Sequence, residues 1–318
     1  MFTHSVFGFR LQCDFALPEL LPAREESGDV WRVEKRNGEP PPAAATEQIG
    51  SEAVHGAVCV AAFRSEDAFR LAFDDTGTFD IRATDRMIAW YPGPDAGDAA
   101  VRADLLGRVM ALVAHADGRL ALHASAVSID GRAVAFLGPK HAGKSTLALA
   151  LVRRGARLVA DDTLVVRVEA ACEPRVTVGV QRPRLWNDAL DALALRGSSG
   201  GDKPIVDPLP SDCLEHAEVP LSACYVLAPI PDDGTAIIRS APLTSVHATV
   251  ACVRFAKAGA LLGGREAPVV LARAAGLVSS VAMYSIGVVR NLERLDAVAA
   301  QLFDWHATHR LPNVASPA

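Results

Sequence analysis

A glycine-rich stretch, Gly138 to Ser145, constrains this chain more than any other feature. It reads GPKHAGKS and fits the pattern G-x-x-x-x-G-K-[ST] at every fixed position. The apolar run 133–137 precedes it, and a helical pattern from Thr146 to Arg154 follows it. Because a strand, a glycine-rich loop and a helix occur in this order, we predict that backbone N–H groups of the loop surround phosphate oxygens at the helix N-terminus.

The loop combines a backbone cradle with two functional side chains. The Lys144 ammonium is expected to reach the terminal phosphates, and the Ser145 hydroxyl is expected to ligate Mg²⁺. The pattern therefore predicts a nucleoside triphosphate and Mg²⁺ as ligands. The residues predicted to bind the nucleotide form one continuous run: Gly138, Pro139, Lys140, His141, Ala142, Gly143, Lys144, Ser145 and Thr146.

Two adjacent acids, Asp161 and Asp162, follow a short apolar segment that is predicted to be a buried strand, 157–160. One carboxylate can hold Mg²⁺, directly or through water, and the other can accept a proton from an attacking hydroxyl group. A solvated turn is the alternative interpretation. The apolar residues directly before the pair favour the functional interpretation.

His123 and Lys203 are weaker candidates when they are judged by position alone. His123 lies in a predicted strand, 120–129, which a two-residue turn at Asp130-Gly131 connects to the strand before the loop. A strand histidine is more often structural than catalytic. Lys203 lies in a glycine-rich loop, 198–204, where it could reach a phosphate or simply be solvated, and sequence alone favours the solvated state.

Composition excludes several classes of function. The formal net charge is −5, and no basic run is long enough to indicate a nucleic-acid partner. The longest apolar stretch, around 258–281, is interrupted by charged residues and proline, so we expect no membrane partner. The six cysteines form no C-x-x-C pair, and the N-terminus lacks the pattern of a signal peptide. These features predict buried, reduced thiols and a cytoplasmic protein.

The 318 residues suffice for one large domain or two smaller ones. Residues 1–95 are predicted to be a small β-rich region, with a hairpin over 69–82 and an edge strand over 5–13, which could dock a substrate. Residues 96–318 are predicted to be an α/β domain built around the phosphate-binding loop. Its predicted helices include 98–116, 185–195 and a closing helix over 289–302.

Three segments taken together resemble the catalytic core of bacterial HPr kinase/phosphorylase. They are His123-Ala-Ser-Ala-Val, the phosphate-binding loop, and Arg154 to Asp162. Both order and spacing match, since the histidine lies fifteen residues before Gly138 and the acids lie seventeen and eighteen residues after Lys144.

A looser likeness extends over other parts of the chain. The stretch Arg182 to Leu190, the segment Tyr284 to Leu292 and the opening Val6-Phe-Gly-Phe-Arg-Leu are similar to HPr-kinase-like proteins of peptide-tailoring systems, including the lasso-peptide kinases.

The resemblance implies an α/β core like that of phosphoenolpyruvate carboxykinase, with a P-loop and a mixed β-sheet. It also implies phosphorylation of a serine hydroxyl by ATP and Mg²⁺. By resemblance, Lys144 binds phosphates, Ser145 and Asp161 hold Mg²⁺, and Asp162 is the general base with His123 beside it. Lys203 is implied as a further phosphate contact. The catalytic residues expected on this basis are Asp162, His123 and Asp161.

The function predicted from the sequence is therefore an ATP-dependent kinase acting on a serine hydroxyl of a peptide or protein. The chain lacks, downstream of the acidic pair, the stretch that marks genuine HPr kinases, which argues against HPr as the acceptor. A ribosomally made precursor peptide of the lasso type is the favoured substrate. A small-molecule kinase on the same core and a nucleotide-binding regulatory module without transfer chemistry are the alternatives. Reverse phosphorylase activity and homo-oligomer formation are left open.

Overall fold

The computed structural model describes residues 1–20, 22, 28–42, 47–54, 57–94, 96–169, 171–198, 203–232 and 237–308. The chain forms two compact units. The first comprises Met1–Ala121 and Ala256–Arg273, and the second comprises Leu122–Phe255 and Ala274–Ala318. The first unit thus extends past residue 95, where the sequence suggested a domain boundary, and it also includes a later segment that begins at residue 256.

The first unit contains one sheet of eight strands among the described residues. Their order is β1-β2-β3-β8-β7-β6-β5-β4, and neighbours are antiparallel except that β3 is parallel to both β2 and β8. The strands are β1 (Phe2–Val6), β2 (Phe9–Cys13), β3 (Val30–Lys35), β4 (Glu47–Val54), β5 (Ala57–Arg64), β6 (Ala68–Phe73), β7 (Gly77–Arg82) and β8 (Met87–Pro92). Alternate residues are buried along β2 and β7, as period-two patterning requires.

The hairpin predicted over 69–82 is confirmed as β6 and β7. The single edge strand predicted over 5–13 is wrong, because the chain reverses at Phe7 and Gly8, whose φ angles are 55° and 76°. This turn makes β1 and β2 an antiparallel pair. The proline-rich stretch 39–46 is predicted from its sequence to be a loop, and its residues 43–46 lie outside the described residues.

The helical segment predicted over 98–116 consists of α1 (Asp98–Asp104), a π-helical turn (Leu105–Val109) and α2 (Met110–Ala116). At its end, His115 is buried in a charged network. Its Nε2 lies 2.8 Å from Glu266 Oε2, and Glu266 also pairs with Arg64. Arg273 donates to the carbonyls of His115 and Arg119. Burial lowers the pKa of His115, so the neutral imidazole is favoured in this unit.

The second unit contains the phosphate-binding loop in a mixed α/β arrangement. Strand β9 (Leu120–Leu122) leads into it. Its further strands are β10 (Ala124–Ile129), β11 (Arg132–Leu137), β12 (Arg157–Ala160), β13 (Leu164–Arg167), β14 (Arg175–Val176), β15 (Gly197–Ser198), β16 (Ile205–Val206), β17 (Val219–Ile230), β18 (Ile238–Pro242) and β19 (Ala282–Val289). The helices are α3 (Lys144–Val152), α4 (Asn187–Ala192), α5 (Ser245–Arg254), α6 (Ala267–Val278, which begins in the first unit) and α7 (Leu295–Ala307).

The main sheet of this unit has the order β12-β10-β11-β17, and β19 and β18 continue it beyond β17. β10 is antiparallel to both β11 and β12, whereas β11, β17 and β19 are mutually parallel. This confirms the predicted mixed sheet. Helices α3 and α7 share one buried core with the sheet, to which α3 contributes an unbroken apolar run, 147–152. A helix that is apolar all round is expected to be buried in this way.

Several predicted elements differ from those observed. The strand predicted over 120–129 is interrupted at His123, which lies between β9 and β10. The helix predicted over 185–195 is reduced to α4. The closing helix begins at Leu295 and not at residue 289, because β19 extends to Val289 and the Asn291 side chain caps a short 3-10 turn first. Residues 309–318 lie outside the described residues.

All six cysteines are free. Cys13, Cys224 and Cys252 are buried as expected, but Cys172 is exposed and the remaining two are half-buried. In the described part of the chain, no helix has both the length and the apolar character that crossing a membrane requires.

The buried network around His115 predicts a pH-dependent stability. Because the folded state holds the pKa of His115 below its ordinary value, this contribution is complete above about pH 6.5 and is lost as the pH falls and the unfolded chain takes up the proton. His115→Gln cannot titrate, so its free energy of unfolding should fall less than that of the wild type between about pH 7.5 and about pH 5.5. Urea unfolding followed by the fluorescence of buried Trp31 and Trp90 measures this. Equal losses in both proteins would contradict the assignment.

Candidate active site

Three points of the chain meet at one edge of the second unit's sheet. β10 is antiparallel to β11 and to β12, so the start of β10 lies beside the ends of both neighbours. Ala124 pairs with Leu137, and Ala126 pairs with Ala160. The residues just outside these strands are His123, the phosphate-binding loop and the acidic pair. The register of β10 therefore brings together the three sequence signals that point to chemistry.

The phosphate-binding loop connects β11 to α3 through backbone conformations that favour glycine. Gly143 has a φ of 90°, and an added Cβ would meet no atom within 4 Å. Glycine is therefore needed at this position for its left-handed conformation and not for space. His141 adopts a left-handed φ of 69° without being glycine. The side chains of Pro139, Lys140 and His141 are exposed.

Lys144 lies inside the loop and is only 6% exposed. Its Nζ donates to the carbonyls of Gly138 at 2.9 Å and of Pro139 at 3.0 Å. The loop carbonyls accept hydrogen bonds from this buried ammonium and so offset the cost of burying it. From this position the ammonium could reach a phosphate bound by the loop.

The two acids that follow β12 are directed into different environments. A tight turn centred on Asp162, whose φ is 68°, lets the Thr163 N–H donate to the Asp161 carbonyl at 2.8 Å. Asp161 is 7% exposed, whereas the Asp162 side chain is 59% exposed. Adjacent residues of the same type therefore present one carboxylate to the interior and the other to solvent.

Asp161 is held by two hydroxyl groups. Ser125 Oγ, which is buried in β10, donates to Asp161 Oδ1, and Ser145 is also hydrogen-bonded to this carboxylate. Burial raises the pKa of Asp161, and the charge of Asp162 adds to the rise. The two hydroxyl groups and the positive charge of Lys203 act in the opposite direction.

Asp162 is paired with His123. The Nδ1 of His123 lies 3.2 Å from Asp162 Oδ1 and 3.0 Å from the Asp162 carbonyl oxygen. Since both partners are acceptors, Nδ1 carries a proton and donates it to them. The backbone N–H of His123 donates to the Phe255 carbonyl at 2.6 Å, which fixes the histidine at the break between β9 and β10.

Lys203 is the predicted residue most distant in sequence from the loop. Residues 199–202 of its segment lie outside the described residues, but Lys203 itself is half-buried, and its charge reaches Asp161. Lys203 therefore acts on the buried carboxylate of the site through its charge, which opposes the rise that burial causes in the pKa of Asp161. The roles of these residues remain predictions.

Ser125 was not selected from the sequence although it binds Asp161. No local pattern singles Ser125 out, because its contact with Asp161 exists only where β10 pairs with β12.

The donor set at Ser145 and Asp161 suits Mg²⁺. A hydroxyl and a carboxylate in hydrogen-bonding contact provide two hard oxygen ligands close together, and Mg²⁺ usually takes its remaining ligands from water and phosphate. Within the described residues, no cluster of three or more His, Cys, Asp or Glu side chains is arranged to hold a metal ion.

Comparison with known proteins yields likenesses among solved structures only. No protein-family model matches the chain, and no curated protein matches it significantly. Among solved structures, the chain is similar to the Hpr(Ser) kinase/phosphatase from Coxiella burnetii, with 15% identical residues and a TM-score of 0.31. The alignment covers 60% of this chain and 96% of that one. Assignment of the residues therefore rests on the geometry of the site itself.

The loop conformation predicts an asymmetry between two glycine substitutions. Gly143→Ala adds no clash but forces an L-residue into a left-handed conformation, so we expect a loss of about 1–2 kcal/mol in the free energy of unfolding. Gly107→Ala is the control, because Gly107 lies in the π-helical turn and its added Cβ would make only an ordinary contact. Thermal unfolding should show a loss for the first variant alone. Equal losses would contradict a conformational requirement at Gly143.

Proposed function

We propose that this protein is an ATP- and Mg²⁺-dependent kinase that transfers the γ-phosphoryl group to a serine hydroxyl of a peptide or protein. The observation that carries the proposal is the divergence of the two adjacent acids. Asp161 is buried against Ser125 and Ser145, and Asp162 is exposed and held by His123. A site that only binds nucleotide has no need for the second, exposed carboxylate.

The loop and Asp161 would hold the donor. Backbone N–H groups of the loop would bind the phosphates, and Lys144 would move from the loop carbonyls to the terminal phosphate oxygens. Ser145 and Asp161 would hold Mg²⁺, which offsets negative charge on the phosphates when it is bound. Ser125 donates to Asp161 Oδ1 and so would limit the orientations of this carboxylate.

Asp162 would act on the acceptor. An exposed carboxylate at the edge of the phosphate site can accept the proton of a serine hydroxyl while the hydroxyl oxygen bonds to phosphorus and ADP leaves. His123 donates from Nδ1 to Asp162, so it fixes the direction of the carboxylate. In this arrangement His123 positions the base and Asp162 takes the proton. Lys203 would contribute a positive charge near the phosphates.

We propose a ribosomally made precursor peptide of the lasso type as the acceptor. The support is the sequence resemblance of segments 182–190 and 284–292 to kinases of peptide-tailoring systems. We also propose that the β-rich region, residues 1–95, docks this substrate. The reaction would take place in the cytoplasm, where ATP is present and free thiols such as the six found here remain reduced.

Asp162→Asn should separate binding from transfer. Asparagine tolerates the left-handed backbone of Asp162, so the fold should be retained, but an amide cannot accept the proton. We expect transfer to fall about a hundredfold or more with little change in ATP affinity. Lys144→Ala should instead abolish ATP binding. Calorimetry with Mg·ATP and a phosphoryl-transfer assay measure the two effects.

The matched control is Asp130→Asn. Asp130 is also an aspartate in a left-handed conformation, with a φ of 48°, and it lies in the turn at the opposite end of β10. It should leave both binding and transfer unchanged. If Asp162→Asn keeps full activity while Lys144→Ala loses nucleotide binding, the protein is a binding module and the proposal fails.

The acceptor class is tested with ATP carrying a labelled γ-phosphate. We expect the label on serine of a candidate precursor peptide, and we expect no label when that serine is replaced by alanine. Mass spectrometry of the peptide identifies the modified residue. Label recovered on a small metabolite, with none on any peptide, would contradict the peptide acceptor and favour a small-molecule kinase.

A further inference from the structure

An exposed tryptophan lies against the phosphate-binding loop. Trp186 is 43% exposed, and its ring centroid lies 5.8 Å from that of His141, with an interplanar angle of 36°. By contrast, Trp31 and Trp90 are buried. The exposed area of this ring adjoins the phosphate-binding loop, so a ligand held by the loop could cover it.

Trp186 is held in place by backbone pairing. The Leu185 N–H donates to the Pro204 carbonyl at 3.1 Å, the Val206 N–H donates to the Pro183 carbonyl at 2.8 Å, and Leu185 is buried. These bonds are antiparallel, with Arg184 opposite Ile205. Trp186 directly follows the paired segment 183–185, and Lys203 directly precedes the paired segment 204–206. The ring and Lys203 therefore adjoin the same short ladder.

The two sides of the loop have different neighbours. Ser145, at the helix end of the loop, is hydrogen-bonded to Asp161, so the acidic residues lie on that side. Acidic residues suit a metal ion, the terminal phosphate and the acceptor. His141, in the middle of the loop, contacts the ring of Trp186, and neither of these two residues is acidic. Since the acids occupy the first side, the part of a nucleotide beyond its phosphates is best accommodated on the second.

We infer that Trp186, together with His141, forms a stacking platform for the base of the nucleotide. This inference rests on the proposed function, because it assumes that the loop holds a nucleoside triphosphate. Stacking on an aromatic ring requires only the π-face that every base has, so the platform should accept adenine and guanine with similar affinity. Phosphates would supply the charge recognition, and Trp186 would supply base affinity without base selectivity.

Trp186→Ala and Trp186→Phe test the platform. Dissociation constants for Mg²⁺ complexes of ATP, GTP and inorganic tripolyphosphate are measured by calorimetry, with circular dichroism as the check of folding. We expect Trp186→Ala to weaken ATP and GTP by about tenfold and to leave tripolyphosphate unchanged. Trp186→Phe should retain most of the affinity. In the wild type, ATP should quench the fluorescence of Trp186 and tripolyphosphate should not.

The alternatives give different results. If Trp186→Ala weakens tripolyphosphate as much as ATP, the ring only shapes the loop, and the inference is overturned. If nucleotide affinity is unchanged and the KM for the acceptor rises, the ring contacts the acceptor, which also overturns it. If the wild type binds neither ATP nor tripolyphosphate, the proposed function itself fails.

Discussion

The pairing of β10 with both of its neighbours is the constraint on which the site depends. Because β10 is antiparallel to β11 and to β12, Ala124 lies beside Leu137 at the end of β11, and Ala126 lies beside Ala160 at the end of β12. A slip of one residue in either register would turn every side chain of β10 to the other face. Ser125 would then lose Asp161, and the carboxylate would remain buried without one of its two hydroxyl donors.

The second requirement is that adjacent carboxylates be kept apart. Two like charges on neighbouring residues raise the cost of ionising either one, and burial adds to that cost for Asp161. The left-handed turn at Asp162 directs the two side chains into different surroundings, so that hydroxyl groups stabilise the buried carboxylate and solvent and His123 stabilise the exposed one. A strained backbone at this position is thus coupled to the electrostatics of the site.

The features that could be predicted from the sequence are those whose structure is determined by a short stretch of residues. The glycine-rich loop, the following helix and the two-residue turn at Asp130-Gly131 depend on local backbone preferences, and all three were predicted. The interruption of the strand at His123 could not be, because it accompanies a hydrogen bond to Phe255, far along the chain. Ser125 was missed for a related reason, since its role exists only once β10 and β12 are paired.

The position of Trp186 extends the same argument. In the sequence it is one of four tryptophans, and its neighbours predict only a short helix. Its place against His141 depends on pairing between segments 183–185 and 204–206, which no local pattern indicates. Trp186 directly follows the first of these segments and Lys203 directly precedes the second, so both adjoin the same paired stretch. The loop binds phosphates by local chemistry, but what surrounds those phosphates is determined by contacts that form only in the folded chain.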